Sequence, residues 1–185
     1  MVKIFIDAGH GGSDTGATGN GLQEKDVTLQ IARKIEEQLK GYENAEVKLS
    51  RTDDQTVSLQ QRTDMANSWG ADVLLSIHLN SSSSSEARGF ESYRYPNAGS
   101  RTVQFQDILH AEIMERIDNF TDDNRGKQQA NFHMLRESNM TACLTENLFV
   151  SNKQDSDLLK DENFLNELAA GHTNGCVRFF GLKKK

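Results

Sequence analysis

Three apolar, strand-like runs in the sequence each end close to a side chain that can bind a metal or transfer a proton: His10, His78 and Glu146. A fourth candidate, Glu24, stands where a helix pattern begins. Strand ends and helix starts line the ligand crevice of an open α/β sheet, so we expect these four side chains to lie close together. Two imidazoles and a carboxylate suit a catalytic zinc with one open position, and a second carboxylate suits the general base beside it. The pattern therefore predicts a metal-dependent hydrolase.

Each of the two glutamates also has a simpler interpretation. Glu24 lies at a helix start, where the helix dipole alone favours a carboxylate, so its spacing leaves the role of ligand open. Glu146 lies between Leu144 and Leu148, which we expect to be buried. A buried carboxylate is costly unless it is paired or bound to a metal, and burial raises its pKa toward the range of a general base. The alternative for Glu146 is an internal salt bridge, with Arg136 as its partner.

The glycine-rich segment 9–16 invites comparison with a phosphate-binding loop, but the match is poor. Its glycines do not follow G-x-G-x-x-G, no Lys-Ser/Thr pair closes a phosphate loop, and more loop follows where a helix should begin. The glycines can serve backbone turns, yet a turn does not account for the histidine among them. Serine and cysteine nucleophiles are also disfavoured, because no G-x-S-x-G elbow is present and neither cysteine has an obvious base.

The remaining histidines and the cysteines are expected to have structural or supporting roles. His110 and His172 lie in helix patterns and are expected to be structural or at the surface. His133 begins an apolar run and is expected to lie behind the metal ligands or to contact substrate. Cys143 lies within an apolar run and is expected to be a buried thiol, since it is far from Cys176 and no CxxC pair is present.

Size, composition and charge are those of one ordinary globular domain. The 185 residues are 36% hydrophobic and 26% charged, and no apolar stretch approaches the ~20 residues that span a bilayer. A net charge of −6 argues against nucleic acid or an anionic surface as a partner. The sequence enters a strand pattern without a signal segment, so we expect synthesis in the cytosol without a classical export signal.

Short β-branched runs alternate with longer stretches of helical periodicity. This alternation predicts a single α/β domain with a twisted, mainly parallel or mixed sheet of about six strands, covered by helices on both faces. The serine run 81–85 is expected to form a mobile loop at the mouth of the crevice. The strand candidates are 2–7, 47–51, 72–78, 89–95 (near the sheet edge), 132–136 and 142–149, and the helix candidates lie within 27–39, 59–69, 105–117 and 164–180.

An ordered set of motifs resembles the zinc-dependent N-acetylmuramoyl-L-alanine amidases of the amidase-3 family. The resemblance covers nearly the whole chain and is closest to Bacillus sporulation amidases of mother-cell lysis and to related phage endolysins. The motifs are Ile6-Asp7-Ala8-Gly9-His10-Gly11-Gly12, Glu24-Lys25, Leu49-Ser50-Arg51-Thr52-Asp53 with Arg62, Ser76-Ile77-His78-Leu79-Asn80, Gly89-Phe90-Glu91, Asn131-Phe132-His133-Met134-Leu135-Arg136, and Thr145-Glu146-Asn147 with Ser151-Asn152.

The resemblance implies that His10, Glu24 and His78 bind one zinc ion and that Glu146 is the catalytic carboxylate. It thereby favours the ligand role for Glu24, which spacing left open. The implied substrate is peptidoglycan, and the implied reaction is hydrolysis of the amide between N-acetylmuramic acid and the L-alanine of the stem peptide. Zinc would activate a water, and Glu146 would carry its proton to the leaving nitrogen.

Three further residues are expected to bind substrate or to lie behind the ligands: Asn80, His133 and Arg136. His133 or Arg136 is also a candidate donor to the oxyanion that forms during hydrolysis. Two alternatives to the amidase remain. Another zinc amidohydrolase, cutting a peptide or an N-acetyl bond, would use the same constellation, and an inactive wall-binding module would retain the residues without the activity.

The sequence departs from the usual family pattern at a few positions. Ala8 and Thr141 stand where proline is common, and Asn147-Leu148 replaces the usual valine-glycine after the catalytic glutamate. None of these changes removes a candidate ligand.

The resemblance also gives expectations about organisation. Residues 1–181 are expected to form the catalytic domain, acting as a monomer, and the basic residues 182–185 to be a solvated end or the start of a linker to a wall-binding module. Access to the cell wall is expected after mother-cell lysis, phage-induced permeabilisation or nonclassical release.

Overall fold

A six-stranded sheet runs through the computed structural model, which describes residues 1–185. Its order is β4-β1-β5-β8-β6-β7; the first four strands are parallel, and the last two run in the opposite direction. Two short strands, β2 and β3, form a separate hairpin. In chain order the strands are β1 (Val2–Ala8), β2 (Thr18–Gly19), β3 (Leu22–Gln23), β4 (Ala45–Leu49), β5 (Val73–Asn80), β6 (Phe90–Arg94), β7 (Asn124–Gln129) and β8 (Thr141–Phe149).

Six helices connect and cover these strands. The clearest end signals belong to the second helix, where Ser58 and Gln61 form a reciprocal capping box and Gly70 ends the helix in the left-handed conformation. No helix combines the length and the apolar character that a bilayer span requires. The helices are α1 (Glu24–Leu39), α2 (Leu59–Trp69), α3 (Ser100–Ile117), α4 (His133–Arg136), α5 (Lys153–Leu159) and α6 (Glu162–Phe180).

The two faces of the sheet bury cores of different size. On one face, alternate side chains of β1, such as Ile4 and Ile6, belong to a cluster of 27 buried residues under α1, α3 and α6. On the other face, Phe5 and Leu144 belong to a cluster of eight buried residues packed by α2 and α4. Helices therefore cover both faces of the sheet, which confirms the predicted α/β fold class.

The sequence-based assignment of elements has one error and four omissions. Residues 132–136 form no strand: the Phe132 carbonyl accepts hydrogen bonds from the amides of Leu135 and Arg136, which closes the helical turn α4. A five-residue segment with three apolar residues is too short to distinguish a strand from a helical turn. The two-residue strands β2 and β3, the strand β7 and the helix α5 were not predicted; β7 is polar and largely exposed, so it has no hydrophobic pattern. It forms the sheet edge, one strand beyond β6.

The last residues of the chain pair with the turn that follows α1. The Glu43 amide donates to the Lys183 carbonyl at 2.8 Å, and the Lys185 amide donates to the Gly41 carbonyl at 2.9 Å. The backbone of the basic tail is therefore held against the domain, while its charged side chains remain exposed.

A β-bulge interrupts the pairing of β5 and β8 near their carboxyl ends. His78 pairs with Glu146, but Asn80 pairs with Phe149, so β8 contains one residue more than β5 between these two pairs. Leu148, in this bulge, is fully buried and has a φ of 71°, a left-handed conformation that costs a leucine about 1–2 kcal/mol. The usual family glycine at this position would adopt the same backbone without that cost.

Close packing of α3 against α6 yields a test of the fold. A Cβ atom added at Gly171 of α6 would lie 2.6 Å from the Cα atom of Ile113, a backbone atom that cannot move alone. We expect Gly171→Ala to lower the free energy of unfolding by about 1–3 kcal/mol, despite the better helix propensity of alanine. Denaturant unfolding measures this, with Asn174→Ala in the same helix as the control. Unchanged or increased stability would contradict the tight helix contact.

Candidate metal centre

Three elements bring His10, Glu24 and His78 together at the carboxyl edge of the sheet. His10 follows β1, Glu24 is the first residue of α1, and His78 lies near the end of β5. One potential ligand atom from each residue lies within 4.8 Å of the other two. The Oε1 atom of Glu24 is 3.1 Å from Nε2 of His10 and 3.1 Å from Nδ1 of His78. We call these residues the His-Glu-His trio.

The backbone at His10 is left-handed, with a φ of 62°, and the buried side chain of Arg62 holds it there. One guanidinium nitrogen of Arg62 donates to the Ala8 carbonyl and to the Asp7 carboxylate, the latter at 2.8 Å. The other terminal nitrogen donates to the His10 carbonyl at 2.6 Å. Arg62 also holds the pKa of Asp7 below its usual range, although burial opposes this. The ion pair therefore stays charged and fixes the loop after β1.

A second buried guanidinium, that of Arg51, joins this loop to the start of α1. Its nitrogens donate to the carbonyls of Ala8 at 3.0 Å, Gly9 at 3.1 Å and Lys25 at 2.7 Å. Because Lys25 follows Glu24, these bonds fix the position of one carboxylate ligand relative to the histidine loop.

Hydrogen bonds also orient the ligand side chains themselves. Asp14 accepts from Nδ1 of His10 at 2.8 Å, which fixes the ring so that its Nε2 atom faces Glu24 and is free to bind a metal ion once it loses its proton. The two oxygens of Glu24 accept from the backbone amides of Leu79 at 2.9 Å and Ala17 at 2.8 Å. Each of these two ligands thus has an outer partner of the kind that metal ligands need.

The electrostatics of the trio favour a cation. Burial disfavours charge on the imidazoles, but the carboxylate of Glu24 outweighs it, which raises the pKa of His10 to about 9 and also raises the pKa of His78. Burial likewise opposes ionisation of Glu24, yet hydrogen bonds to the two imidazoles hold its pKa well below the usual range. An ionised carboxylate between two imidazoles is a donor set that suits zinc.

Two glycines leave room for the trio. A Cβ atom at Gly9 would lie 2.5 Å from the ring of His78, and one at Gly16 would lie 2.6 Å from Oε2 of Glu24 and 2.7 Å from the ring of His10. Gly16 also has a φ of 63°. The backbone therefore approaches the ligand side chains closely enough to fix them, and the residues present fit a metal ion.

Glu146 lies beside the trio rather than in it. It pairs with His78 across β5 and β8, and its Oε2 atom is buried without a hydrogen-bond partner. Burial raises its pKa to about 7, with the positive charge of His78 opposing and the negative charges of Glu24 and Glu91 adding to the effect. No ion pair joins Glu146 to Arg136, whose guanidinium instead pairs with Glu137, so the salt-bridge alternative is wrong. An unpaired carboxylate with this pKa suits a general base.

The carboxylate of Glu91, the strand partner of Glu146 on β6, is the centre of a polar network that the sequence did not reveal. It accepts from Asn80 Nδ2 at 2.6 Å, from the Tyr93 hydroxyl at 3.0 Å and from Arg125 Nε at 3.2 Å. The Glu91 carboxylate is thus held by three donors on the strand next to Glu146. Asn80 therefore contacts the carboxylate that neighbours the candidate base.

The other two predicted substrate residues lie in the segment leading into and through α4. His133 Nε2 is 3.3 Å from the Thr63 hydroxyl of α2, and Arg136 bonds to Asn131 and Glu137. Neither side chain makes a hydrogen bond or ion pair with the trio or with Glu146. Their contact with substrate stays a prediction.

The structural roles predicted for the remaining histidines and for Cys143 are confirmed. His110 bonds to Ser92 and Asn124, His172 bonds to Thr145 and to a backbone carbonyl of its own helix, and both imidazoles are buried. Cys143 is fully buried and free.

Sequence reasoning did not assign roles to Asp14, Arg51, Arg62 or Glu91. Asp14 lies only four residues after His10, a spacing that could have suggested a partner for the imidazole. The two arginines and Glu91 appear in the motifs of the resemblance, but nothing in their local pattern shows that they are buried.

Comparison with known proteins gives concordant matches. A catalytic domain from Bacillus (Paenibacillus) polymyxa var. colistinus, that of the N-acetylmuramoyl-L-alanine amidase CwlV, superposes with a TM-score of 0.93 at 36% identity, covering 99% of this chain and 100% of that one. N-acetylmuramoyl-L-alanine amidase CwlM of Bacillus licheniformis is 56% identical over 100% of this chain and 71% of its own length. The sporulation-specific amidase of Bacillus subtilis is 55% identical over 100% and 70%. The endolysin of Bacillus phage SPP1 is 42% identical over 98% and 67%.

The sheet, the His-Glu-His trio at its carboxyl edge and the unpaired glutamate beside it define an α/β enzyme with a candidate metal centre. The family profile described as N-acetylmuramoyl-L-alanine amidase (Amidase_3) matches residues 4–178. The chain belongs to this family.

The close approach of Gly16 to two ligands can be tested without removing a ligand. We expect Gly16→Ala to weaken Zn²⁺ binding by roughly 10–100-fold, because its Cβ atom would displace Glu24 and His10. Gly21→Ala is the matched control, since Gly21 also has a positive φ but has open space around its Cβ position. Competition with a chromophoric chelator measures both affinities. Equal affinities for the two variants would show that the loop tolerates a side chain at Gly16.

Proposed function

We propose that this chain hydrolyses the amide bond between N-acetylmuramic acid and the L-alanine of the peptidoglycan stem peptide. Family membership supports an N-acetylmuramoyl-L-alanine amidase, and the names of the Bacillus and phage relatives support action at the cell wall. The observation that carries the proposal is the unpaired, buried oxygen of Glu146 on the strand next to His78. An oxygen of this kind next to a metal-binding trio is suited to activating water.

The proposed cofactor is one zinc ion held by His10, Glu24 and His78. Zinc with three protein ligands and an open position polarises a carbonyl and lowers the pKa of water toward ~7. In this chain Asp14 orients His10, and the backbone amides of Ala17 and Leu79 orient Glu24. The ligand set is thus arranged by the fold before the substrate binds, which lowers the cost of reaching the transition state.

Glu146 is the proposed general base and then the general acid. Ionised Glu146 takes a proton from the water that attacks the amide carbonyl and delivers it to the alanine nitrogen as the carbon–nitrogen bond breaks. No protein donor bonds to Oε2 of Glu146, so no hydrogen bond within the protein has to break before the carboxylate takes up the proton. The negative charge of Glu91 on the neighbouring strand adds to the raised pKa of Glu146, which strengthens Glu146 as a base.

The proposal is tested with purified cell walls and a matched pair of variants. We expect the protein to clear a wall suspension and to release new alanine amino termini from intact glycan strands, with loss of activity on chelation and recovery with Zn²⁺. Glu146→Gln should bind Zn²⁺ normally but lose roughly 10²–10⁴-fold in rate, because the base is absent. Glu37→Gln, an exposed glutamate in α1, is the control.

Product analysis separates the proposal from its alternatives. New amino termini of residues other than alanine would indicate a peptidase, and release of acetate would indicate a deacetylase. Zinc binding without any clearing of walls would indicate a binding module. Full activity of Glu146→Gln would remove Glu146 from the proposed role.

The pKa of Glu146 gives a pH prediction. The base must be ionised, and burial raises its pKa to about 7, whereas a bound cation nearby lowers it. The acid limb of kcat/KM should therefore lie at or below about pH 7, with activity falling tenfold per pH unit below the limb. Rates from pH 4.5 to 9 on a soluble muramoyl peptide measure this, with bound zinc determined at each pH. Activity that rises as the pH falls from 7 to 5, with zinc still bound, would contradict it.

A further inference from the structure

One row of paired residues crosses the sheet from the trio toward its edge. His78 pairs with Glu146, Glu146 pairs with Glu91, and Glu91 pairs with Gly126 on β7. Paired residues on neighbouring strands face the same side of a sheet, and strands are about 4.8 Å apart. The row therefore extends roughly 10 Å beyond Glu146 on the face that carries the metal centre.

Arg125 lies in a bulge of β7 at the end of this row. Phe90 pairs with Asn124 and Glu91 pairs with Gly126, so Arg125 is the extra residue of β7. Its Nε atom donates to Glu91 Oε2 at 3.2 Å, and its guanidinium carbon lies 5.0 Å from the centre of the Phe149 ring. A salt bridge on one edge and an aromatic ring fix the plane of the guanidinium.

The outer end of this fixed guanidinium has no protein partner. Nε is the only Arg125 side-chain atom that forms a hydrogen bond, so both terminal nitrogens are unpaired, and the side chain is 42% exposed. The side chain of Arg88 is equally exposed but differs in its partners: its Nε pairs with Asp123, and a terminal nitrogen bonds to Gln154. A guanidinium held at Nε with two open donors matches a carboxylate.

The grooves on the two sides of the metal centre differ in character. Residues 122–125 and Gln128, with Arg88 and Glu91, line an open groove of about 580 Å³ that has no hydrophobic lining residue and has charges of both signs. A second cleft, of about 330 Å³, includes His10 and His78; it is also lined by residues 56–59, of which Val57 and Leu59 are hydrophobic, and by the charged side chains of Asp7, Asp14 and Arg62. The groove without hydrophobic residues suits the peptide of the proposed substrate, which carries carboxylate and amino groups, and the cleft with some apolar surface suits its uncharged glycan.

We propose that Arg125 is the receptor for a carboxylate of the stem peptide, which lies along the row from Glu146 to Gly126, while the glycan occupies the cleft on the His10 side. This inference rests on the proposed function. The row spans roughly 10 Å from Glu146 to Gly126, and the Arg125 guanidinium, bonded to Glu91, lies within that span. An extended peptide advances about 3.3 Å per residue, so it reaches Arg125 by the second or third residue after the scissile amide. Arg125 is thus a residue that determines specificity for the peptide.

The experiment compares two soluble muramoyl tripeptides that differ only in the carboxylates of the second and third residues, either free or amidated. The wild-type protein, loaded with Zn²⁺, should cleave the free form roughly 10–100-fold better in kcat/KM, the effect expected of a charge-assisted hydrogen bond. Arg125→Gln should cleave both forms equally. Arg125→Lys keeps the charge but loses the planar pair of donors, so its preference should be intermediate.

Arg116→Gln is the matched control. Arg116 is 41% exposed and pairs with Glu167 between α3 and α6, so the variant loses the same charge from a different surface and should keep the wild-type preference. The preference is a ratio of two rates for one variant, so a change in the folded fraction cancels from it. Thermal unfolding of each variant accompanies the measurement.

The outcomes separate this inference from the proposed function. Cleavage of both substrates by the wild-type protein without preference, or an unchanged preference in Arg125→Gln, would reject Arg125 as the receptor and leave the amidase activity intact. No cleavage of either substrate by the zinc-loaded wild-type protein would reject the proposed function and this inference with it. Loss of preference in Arg116→Gln would show that overall charge, rather than the Arg125 guanidinium, selects the substrate.

Discussion

The site depends on two buried guanidinium groups that bind the backbone carbonyls after β1. Arg62 and Arg51 together satisfy the carbonyls of Ala8, Gly9 and His10, which the sheet does not fully pair. A buried guanidinium needs such acceptors, and the loop needs such donors to stay in its left-handed conformation at His10. The hydrogen bonds between them partly offset the cost of burying the guanidinium groups and the cost of burying the loop carbonyls. Removing either arginine would leave unpaired polar groups in the interior and would move a candidate ligand at the same time.

The sheet itself organises the charges around this fixed loop. Parallel pairing of β1, β5 and β8 brings their carboxyl ends to one edge, and the row of paired residues then sets the order of the functional groups. His78, Glu146 and Glu91 occupy successive strands. The candidate base Glu146 therefore has an imidazole on one side and a carboxylate on the other. The pKa of Glu146 is therefore a property of its position in the row as well as of its burial.

Strand ends in the sequence predicted three of the four candidate site residues. Positions that depend on contacts between distant segments could not be derived from the sequence. His10, His78 and Glu146 could be placed together because parallel strands share an edge. Glu24 stayed undecided on spacing alone, since its position depends on arginine contacts from distant segments. The polar edge strand β7 has no apolar pattern, so it was missed. The helical turn at 132–136 is too short to show a period, so it was misassigned as a strand.

The left-handed Leu148 changes the face of the sheet on which the end of β8 presents its side chains. Side chains alternate between the faces of a sheet, so one extra residue reverses the face on which every following side chain lies. Phe149 thereby pairs with Asn80 and lies beneath Arg125, on the face of the metal centre. Full burial of the leucine, worth about 1.5–3 kcal/mol, offsets its backbone strain. The bulge in strand pairing thus determines that the Phe149 ring faces the edge of the crevice. There the ring supports the Arg125 guanidinium without an additional loop.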